Sequence, residues 1–455
     1  MNKARENFLY SKVSLGLLTC FFICISYISV IPAMASGASP PVLTLKYAIK
    51  TALKTSPLIR AKKQEVISST KAKRAAKGSL FPKINSYADY TRLSDAAAVV
   101  PISSLGGPPP TFSRDQYKAG ITVSMPLYEG GRLWSGLKLA KQQVAMSKQV
   151  LISTRQNIIA QVTNTFNSIL YLKALLAAQK ETLLALETEQ KDAELRLKLG
   201  KIAPLDLMEI TTQVSSQNIG IEKTKEELIK ARQRLCYLMG WNPIQPIRLK
   251  GRLSPGQIQI PSKSDIYSLI LRRPDIIRAQ KSVSSARTAI KIAEAQNMPS
   301  VNLVGDYGRR AGWGLNSDQE VWSAGIQVSL NIFNGGITSA KIAQAEAKLA
   351  AAQEMLTDLT NQAKTQVLDA ICELRQAESR ISLAQQVQAT AQEAFRIQKM
   401  RYERGAGTVT DMLKAQASWM QAKAELTRAI FDHASAVVAL KLYTGTIGYT
   451  EVNKP

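Results

Sequence analysis

Tyr117-Lys-Ala-Gly-Ile-Thr-Val-Ser-Met-Pro-Leu-Tyr128 alternates apolar and polar side chains and runs into Gly130-Gly131. A stretch of about seventy residues without proline follows, closing on Arg196-Leu-Lys-Leu-Gly200-Lys-Ile-Ala-Pro-Leu-Asp206. The pattern occurs a second time. Trp322-Ser-Ala-Gly-Ile-Gln-Val-Ser-Leu-Asn-Ile-Phe333 leads to Gly335-Gly336, and a run of similar length closes on Arg401-Tyr-Glu-Arg-Gly405-Ala-Gly-Thr-Val-Thr-Asp411. Val123 and Val328, Gly131 and Gly336, Gly200 and Gly405, Asp206 and Asp411, and Gly240 and Gly445 are all 205 residues apart. Upstream, Pro57 and Pro274, like Pro82 and Pro299, are 217 apart, so the 12-residue difference falls between the two strands of each half, where a loop belongs. An internal duplication accounts for this constancy.

Each copy mixes two periodicities. Tyr117, Ala119, Ile121, Val123, Met125 and Leu127 share one face of a strand; Trp322, Ala324, Ile326, Val328, Leu330 and Ile332 do the same in the second copy. Partner strands are expected at Pro82–Leu93 and Val301–Arg309, across loops rich in Gly, Ser, Asn and Pro. A soluble strand is usually about five or six residues, whereas a tilted membrane-spanning one needs about 9–11. Aromatic residues end these strands at equivalent positions, Tyr117 with Trp322 and Tyr128 with Phe333, as in the girdles of an outer-membrane barrel. Two strands per half cannot form a closed core alone. Four strands per chain cannot close a barrel, but three chains would supply about twelve.

The proline-free runs are rich in Ala, Gln, Leu, Lys and Glu and predict helices over Gly131–Leu199 and Gly336–Arg404, each about 100 Å long. Gly200 and Gly405 suit the left-handed residue that ends a helix. New helices begin at Pro204 and near Asp411, where aspartate complements the helix dipole. Each half therefore reads as a long antiparallel helix pair with a tight tip far from its strands. A further helix is expected over Leu45–Lys77, interrupted at Ser56-Pro57. The Gly-Gly pairs mark strand-to-helix bends. Trp241–Ser264 holds four prolines and reads as a linker or belt outside the core. The organisation expected is a signal peptide at 1–35, a first repeat at 36–240, the linker at 241–264, a second repeat at 265–445 and a tail at 446–455.

Lys3, Arg5 and Lys12, the apolar run Val13–Val30 and Ala33-Met34-Ala35 predict a signal peptide cleaved after Ala35. No later segment reads as a transmembrane helix. Two of the four cysteines, Cys20 and Cys24, lie in that leader; Cys236 and Cys372 sit in helical apolar patterns and read as small core residues. The net charge is +25, and loss of the leader, with three basic and one acidic residue, leaves +23. The cations are spread along helices without aromatic interleaving, which argues against a nucleic-acid partner and for a solvated basic face or attraction to anionic headgroups. The single histidine, His433, leaves no His-based triad or multi-histidine metal site in one chain, and no phosphate-cradling glycine loop is present. No catalytic residue, metal or cofactor is expected.

Taken together, the strand–Gly-Gly–helix junctions, the Arg273-Pro274-Asp275 stretch and the Gly-x5-Asp tips resemble the TolC-like outer-membrane channel proteins of efflux and type I secretion systems. The resemblance covers nearly the whole chain after the leader. It implies an α+β membrane protein: a homotrimer whose strands form one twelve-stranded β-barrel in the outer membrane, continuous with a periplasmic α-helical barrel. Such channels are passive exit ducts that dock onto a periplasmic adaptor and an inner-membrane transporter. In that family, polar contacts and rings of aspartate close the periplasmic end. Carried over by position, Tyr402 matches the tip tyrosine, Asp206 its partner, and Asp411 a ring aspartate. The latching arginine falls at Gly407 and the second ring aspartate at Lys414, which implies a weaker latch and a less acidic aperture. The turns at Gly200, Gly405 and Gly407 are the expected adaptor contact. The other classes compatible with such a chain are an adhesive or structural periplasmic coiled coil and a diffusion porin. Paired helical tips disfavour the first, and the long helices disfavour the second, whose periplasmic turns are short.

Overall fold

The computed structural model describes residues 42–95, 113–256, 258–312 and 319–448. The expected signal peptide with Cys20 and Cys24, most of the two hairpin loops and residues 449–455 of the tail lie outside the described residues. The first half runs β1 (Val42–Leu43), α1 (Leu45–Thr55), α2 (Pro57–Gly78), β2 (Lys83–Arg92), β3 (Asp115–Glu129), α3 (Arg132–Lys198) and α4 (Pro204–Met239). The second runs β4 (Arg248–Leu249), α5 (Lys263–Leu271), α6 (Pro274–Glu294), a 3-10 turn, β5 (Ser300–Ala311), β6 (Gln319–Ser329), α7 (Ile337–Glu403) and α8 (Val409–Tyr443). Both α3 and α7 are unbroken over 67 residues, about 100 Å. No helix among the described residues is long and apolar enough to cross a membrane.

Local chemistry sets the breaks. Proline disfavours helical geometry in the residue before it, and Ser56 accordingly turns to ψ 123° between α1 and α2. The Thr55 hydroxyl there donates to the Met239 carbonyl, seating the break on the end of α4. All four helices of the long pairs end alike. The amides of Gly200 and Lys201 return to Leu197 and Arg196, those of Gly240 and Trp241 to Tyr237 and Cys236, those of Gly405 and Ala406 to Tyr402 and Arg401, and those of Gly445 and Thr446 to Leu442 and Lys441. These are Schellman closures, and the duplicated glycines are their left-handed residues.

The core repeats in the same register. One cluster holds Ile59, Val162, Ile169 and Leu235; its counterpart holds Ile276, Val367, Leu374 and Leu440. Both sit partway down the long helices, where the shorter helices meet. The segment after Trp241 departs from expectation. Ile247 and Leu249 are buried in the first cluster, because β4 pairs in parallel with β1 and carries these side chains onto α3. At these two positions the belt is therefore part of the core. Cys236 is buried, but Cys372 is exposed. It occupies an outward position on α7 beside the buried Ile371 and Leu374, so only one of the two cysteines is a core residue.

The larger sheet is antiparallel in the order β2-β3-β5-β6, leaving β2 and β6 as open edges. The register places Tyr90, Ala88 and Ile84 on one face with Tyr117, Ala119, Ile121, Val123, Leu303, Tyr307, Trp322, Ala324 and Ile326. The opposite face carries Lys83, Asn85, Tyr87, Lys118, Thr122, Asn302, Asp306, Ser323 and Gln327. Beyond Pro126 the register slips by one residue, so Tyr128 pairs with Val301 and joins the apolar face that simple alternation denies it. β6 ends at Ser329, short of the expected Phe333, because β5 begins at Ser300 and offers no further partner.

Candidate functional site

Two parts of the fold carry the expected site residues: the helical tips and the strand wall. At the tips, α3–α4 and α7–α8 turn through five residues each, with Gly200 at φ +66° and Gly405 at φ +74°. The turns are capped differently. In the first, Ala203 has no capping oxygen, and the Asp206 carboxylate instead accepts the Ala203 amide at 3.1 Å. In the second, the Thr408 hydroxyl accepts the Asp411 amide at 3.1 Å. These are the two halves of a capping box, one in each repeat. Asp411 and Lys414 are exposed one turn apart on α8.

Ala193, Ile210, Val409 and Met412 form a small core at the tips, packed by Ile202, Leu207, Phe395 and Tyr402. It binds one hairpin to the other. Thr410 Oγ1 donates to Glu209 Oε2 at 2.8 Å, Lys399 Nζ lies 3.1 Å from Glu189 Oε1, and Lys423 Nζ lies 2.9 Å from Glu181 Oε2. The hydrogen bond and charge of Lys423 hold the Glu181 carboxyl below its ordinary range. Phe395 and Trp419 stack with centroids 5.5 Å apart. None of these ties was legible in the sequence. The three polar ties join the first hairpin to the second, and only packing of the hairpins brings their residues together; the Phe395–Trp419 stack lies within the second hairpin.

Tyr402 is half-buried, with the Arg196 guanidinium 5.3 Å from its ring centroid. Burial pushes its phenol up; the charge of Arg196 acts against this, and Glu189, Asp206 and Asp192 add to it. Asp206 is thus near Tyr402, but no hydrogen bond joins them within this chain; its carboxylate is engaged in capping Ala203. Gly407 is tight, since a Cβ there would meet Arg401 Cβ at 3.1 Å.

At the wall, Gly130 (φ +60°) and Gly131 (φ +82°) bend β3 into α3, and Gly335 and Gly336 repeat the geometry before α7. A Cβ on Gly130 would meet Met298 Cβ at 2.5 Å, so the junction has room for glycine alone. Trp322 is 73% and Ile326 65% exposed on the apolar face. The polar face is more sheltered: there Tyr87 spans the sheet, its hydroxyl 3.2 Å from Asp306 and its ring 4.7 Å from Lys118 Nζ. The apolar side of this sheet faces out, the reverse of a soluble sheet. Tyr117 and Trp322 both lie on that face but not in one row. Tyr117 pairs with Tyr90 and Ala311, whereas Trp322 pairs with Tyr307, whose other neighbour is Ile121. Phe333 lies beyond the end of β6.

The family described as outer membrane efflux protein matches residues 48–241 and 266–446, almost the whole described chain. This chain is a member of the outer membrane efflux protein family. Among curated relatives it is 23% identical over 349 residues to outer membrane efflux protein BepC of Brucella suis, covering 75% of each chain. Among solved structures it resembles a membrane protein from Pseudomonas aeruginosa, with a TM-score of 0.79 at 22% identity, over 90% of this chain and 92% of the other. It also resembles the outer membrane protein VceC of Vibrio cholerae, with a TM-score of 0.75 at 20% identity, over 88% and 96%. At those identities the likeness speaks for the fold. As an outer membrane efflux protein, the chain is an outer-membrane channel component that works with an efflux system, and its family is one of transport proteins.

Proposed function

We propose that this chain is the passive exit duct of a tripartite efflux or type I secretion system, working as a homotrimer. The observation that carries this reading is the inverted four-stranded sheet with two open edges. Strands of 10 to 15 residues are long enough to span a tilted outer-membrane barrel. With apolar residues outward and polar residues inward, edge pairing of β2 and β6 between copies gives a lipid-facing wall around a water-filled duct. Tyr117, Tyr128 and Trp322 supply aromatic contacts on the lipid face.

On this reading the repeats at 36–240 and 265–445 each contribute one helix hairpin to a periplasmic wall, and the segment at 241–264 is a belt around it. The tips are the gate. Asp206, Tyr402, Asp411 and Lys414 stand at the aperture, and the turns at Gly200, Gly405 and Gly407 meet a periplasmic adaptor coupled to an inner-membrane transporter. The chain supplies no chemistry; its inner-membrane partner supplies the energy. The test is the oligomeric mass of the detergent-purified protein together with its conductance in planar bilayers. A trimer with small, gated steps supports the duct. A monomer without conductance refutes it.

A further inference from the structure

The net charge of +25 is not evenly placed along the structure. The helical segments next to the strands, residues 57–80, 132–155, 274–298 and 337–360, carry 18 basic and 6 acidic residues. The tipward segments, 156–239 and 361–443, carry 22 basic and 18 acidic. α3 shows the asymmetry most sharply: no acidic residue occurs between Arg132 and Glu181. Lys138, Lys141, Lys148 and Arg155 are exposed, and none has an ion-pair partner among the described residues.

These cations lie on a definable face. Lys148, Ile152 and Arg155 stand 18 residues, or five turns, before Phe166, Leu170 and Lys173. That lower trio faces the belt: Lys173 Nζ donates to the Leu249 carbonyl at 3.1 Å, and Gly251 sits over Leu170 and Phe166. Lys141 is within one residue's rotation of the same line, and exposed Trp134 stands ten turns before Leu170. The stripe therefore starts at a tryptophan beside the strand junction, at the interfacial level such side chains favour, and runs to the belt. Since α3 packs against α2 on one side and α6 on the other, a neighbouring copy in a single-layer wall does not cover this face. A belt of helices and strands inside a duct would block it, so the belt-bearing face is the outer one.

We infer that this stripe is a docking surface for an anionic polymer, the carboxylate-bearing glycopeptide meshwork of the cell wall, below the outer membrane. The inference rests on the proposed orientation, with the helices on the cell side of the membrane. Depth decides between occupants. Trp134 to Arg155 spans about 30 Å, whereas the attraction of lipid headgroups falls off within a Debye length of about 8 Å. Headgroups would reach the first turns below the junction and leave Lys148 and Arg155 without a counter-charge. A layer of spaced carboxylates filling the gap between membrane and belt reaches all of them.

The test is co-sedimentation of the full-length detergent-purified protein with purified cell-wall sacculi, comparing wild type with Lys141→Gln/Lys148→Gln/Arg155→Gln. Flotation with phosphatidylglycerol vesicles and bilayer conductance are measured in parallel. The expected result is salt-sensitive pelleting that the triple variant and carbodiimide-amidated sacculi each reduce roughly tenfold or more, with conductance unchanged. Equal pelleting of variant and wild type, or an effect of the variant on vesicles alone, overturns the inference. A conducting channel that ignores sacculi refutes this proposal and leaves the duct standing; loss of conductance in the wild type refutes the duct itself.

Discussion

The tie between Glu189 and Lys399 gives the sharpest test of gating by hairpin separation. Glu189 sits on α3 and Lys399 on α7, 3.1 Å apart, with side-chain exposures of 13% and 43% respectively. Glu189→Gln removes the charge and keeps the shape. A fully exposed pair is worth about 0–1 kcal/mol, and a charge-assisted bond to a sheltered group about 1.5–3 kcal/mol. Half-sheltered geometry puts this one near the boundary, at about 1 kcal/mol, or roughly fivefold per hairpin pair. If three copies open together, the closed state loses about 3 kcal/mol, and the ratio of open to closed channels rises by up to roughly 150-fold. The assay is single-channel recording of wild type, Glu189→Gln, Lys399→Met and the double variant. The expected outcome is more opening in either single variant and little further change in the double, the signature of a coupled pair. Open probabilities unchanged in Glu189→Gln, or fully additive in the double variant, refute separation of these hairpins as the gating step.

Three other outcomes follow from the geometry. Ile326→Arg places a cation on the exposed apolar face, the proposed lipid face, and is expected to cost about 2–4 kcal/mol of folding into bilayers, whereas Ser323→Arg on the polar face costs little; urea titrations in lipid vesicles check the contrast. Gly130→Val forces a side chain into Met298 Cβ and the Ala295 carbonyl on a left-handed backbone, and should lower the thermal denaturation midpoint of the detergent-purified protein; Met298→Ala, which keeps the clashing Cβ, should not restore it. Burial alone would raise the Asp275 carboxyl, but bonds from Arg273 and the Ile276 amide outweigh it and hold the group below its ordinary range. The stability from this lowered value is fully present above the unfolded carboxylate's pKa of about 4 and is lost as pH falls through the folded value. Asp275→Asn should flatten that acid limb in denaturation midpoints measured from pH 7 to pH 3.

Elements with a local cause were legible in the chain. A 67-residue helix needs only helix-forming composition and no proline, and its end needs only a glycine able to turn left-handed, which is why α3 and α7 stop one residue before Leu199 and Arg404. Strand periodicity likewise put Ile121, Val123, Ile326 and Val328 on one face without knowledge of any partner. The duplication added a second, independent copy of each signal, and the buried cores at Ile169 and Leu374 repeat it in space. Where the outcome depended on a partner, the sequence was silent. The bulge that turns Tyr128 outward exists because β3 must pair with β5 past Pro126. β6 stops at Ser329 because β5 has begun. The belt at Ile247 and Leu249 is core because β1 lies beside it. Asp206 turns its carboxylate back onto the Ala203 amide of its own helix start, and no hydrogen bond joins it to Tyr402 within the chain. Periodicity and propensity are properties of neighbours along the chain; register, burial and the ties between hairpins are properties of neighbours across it, and only packing determines who those are.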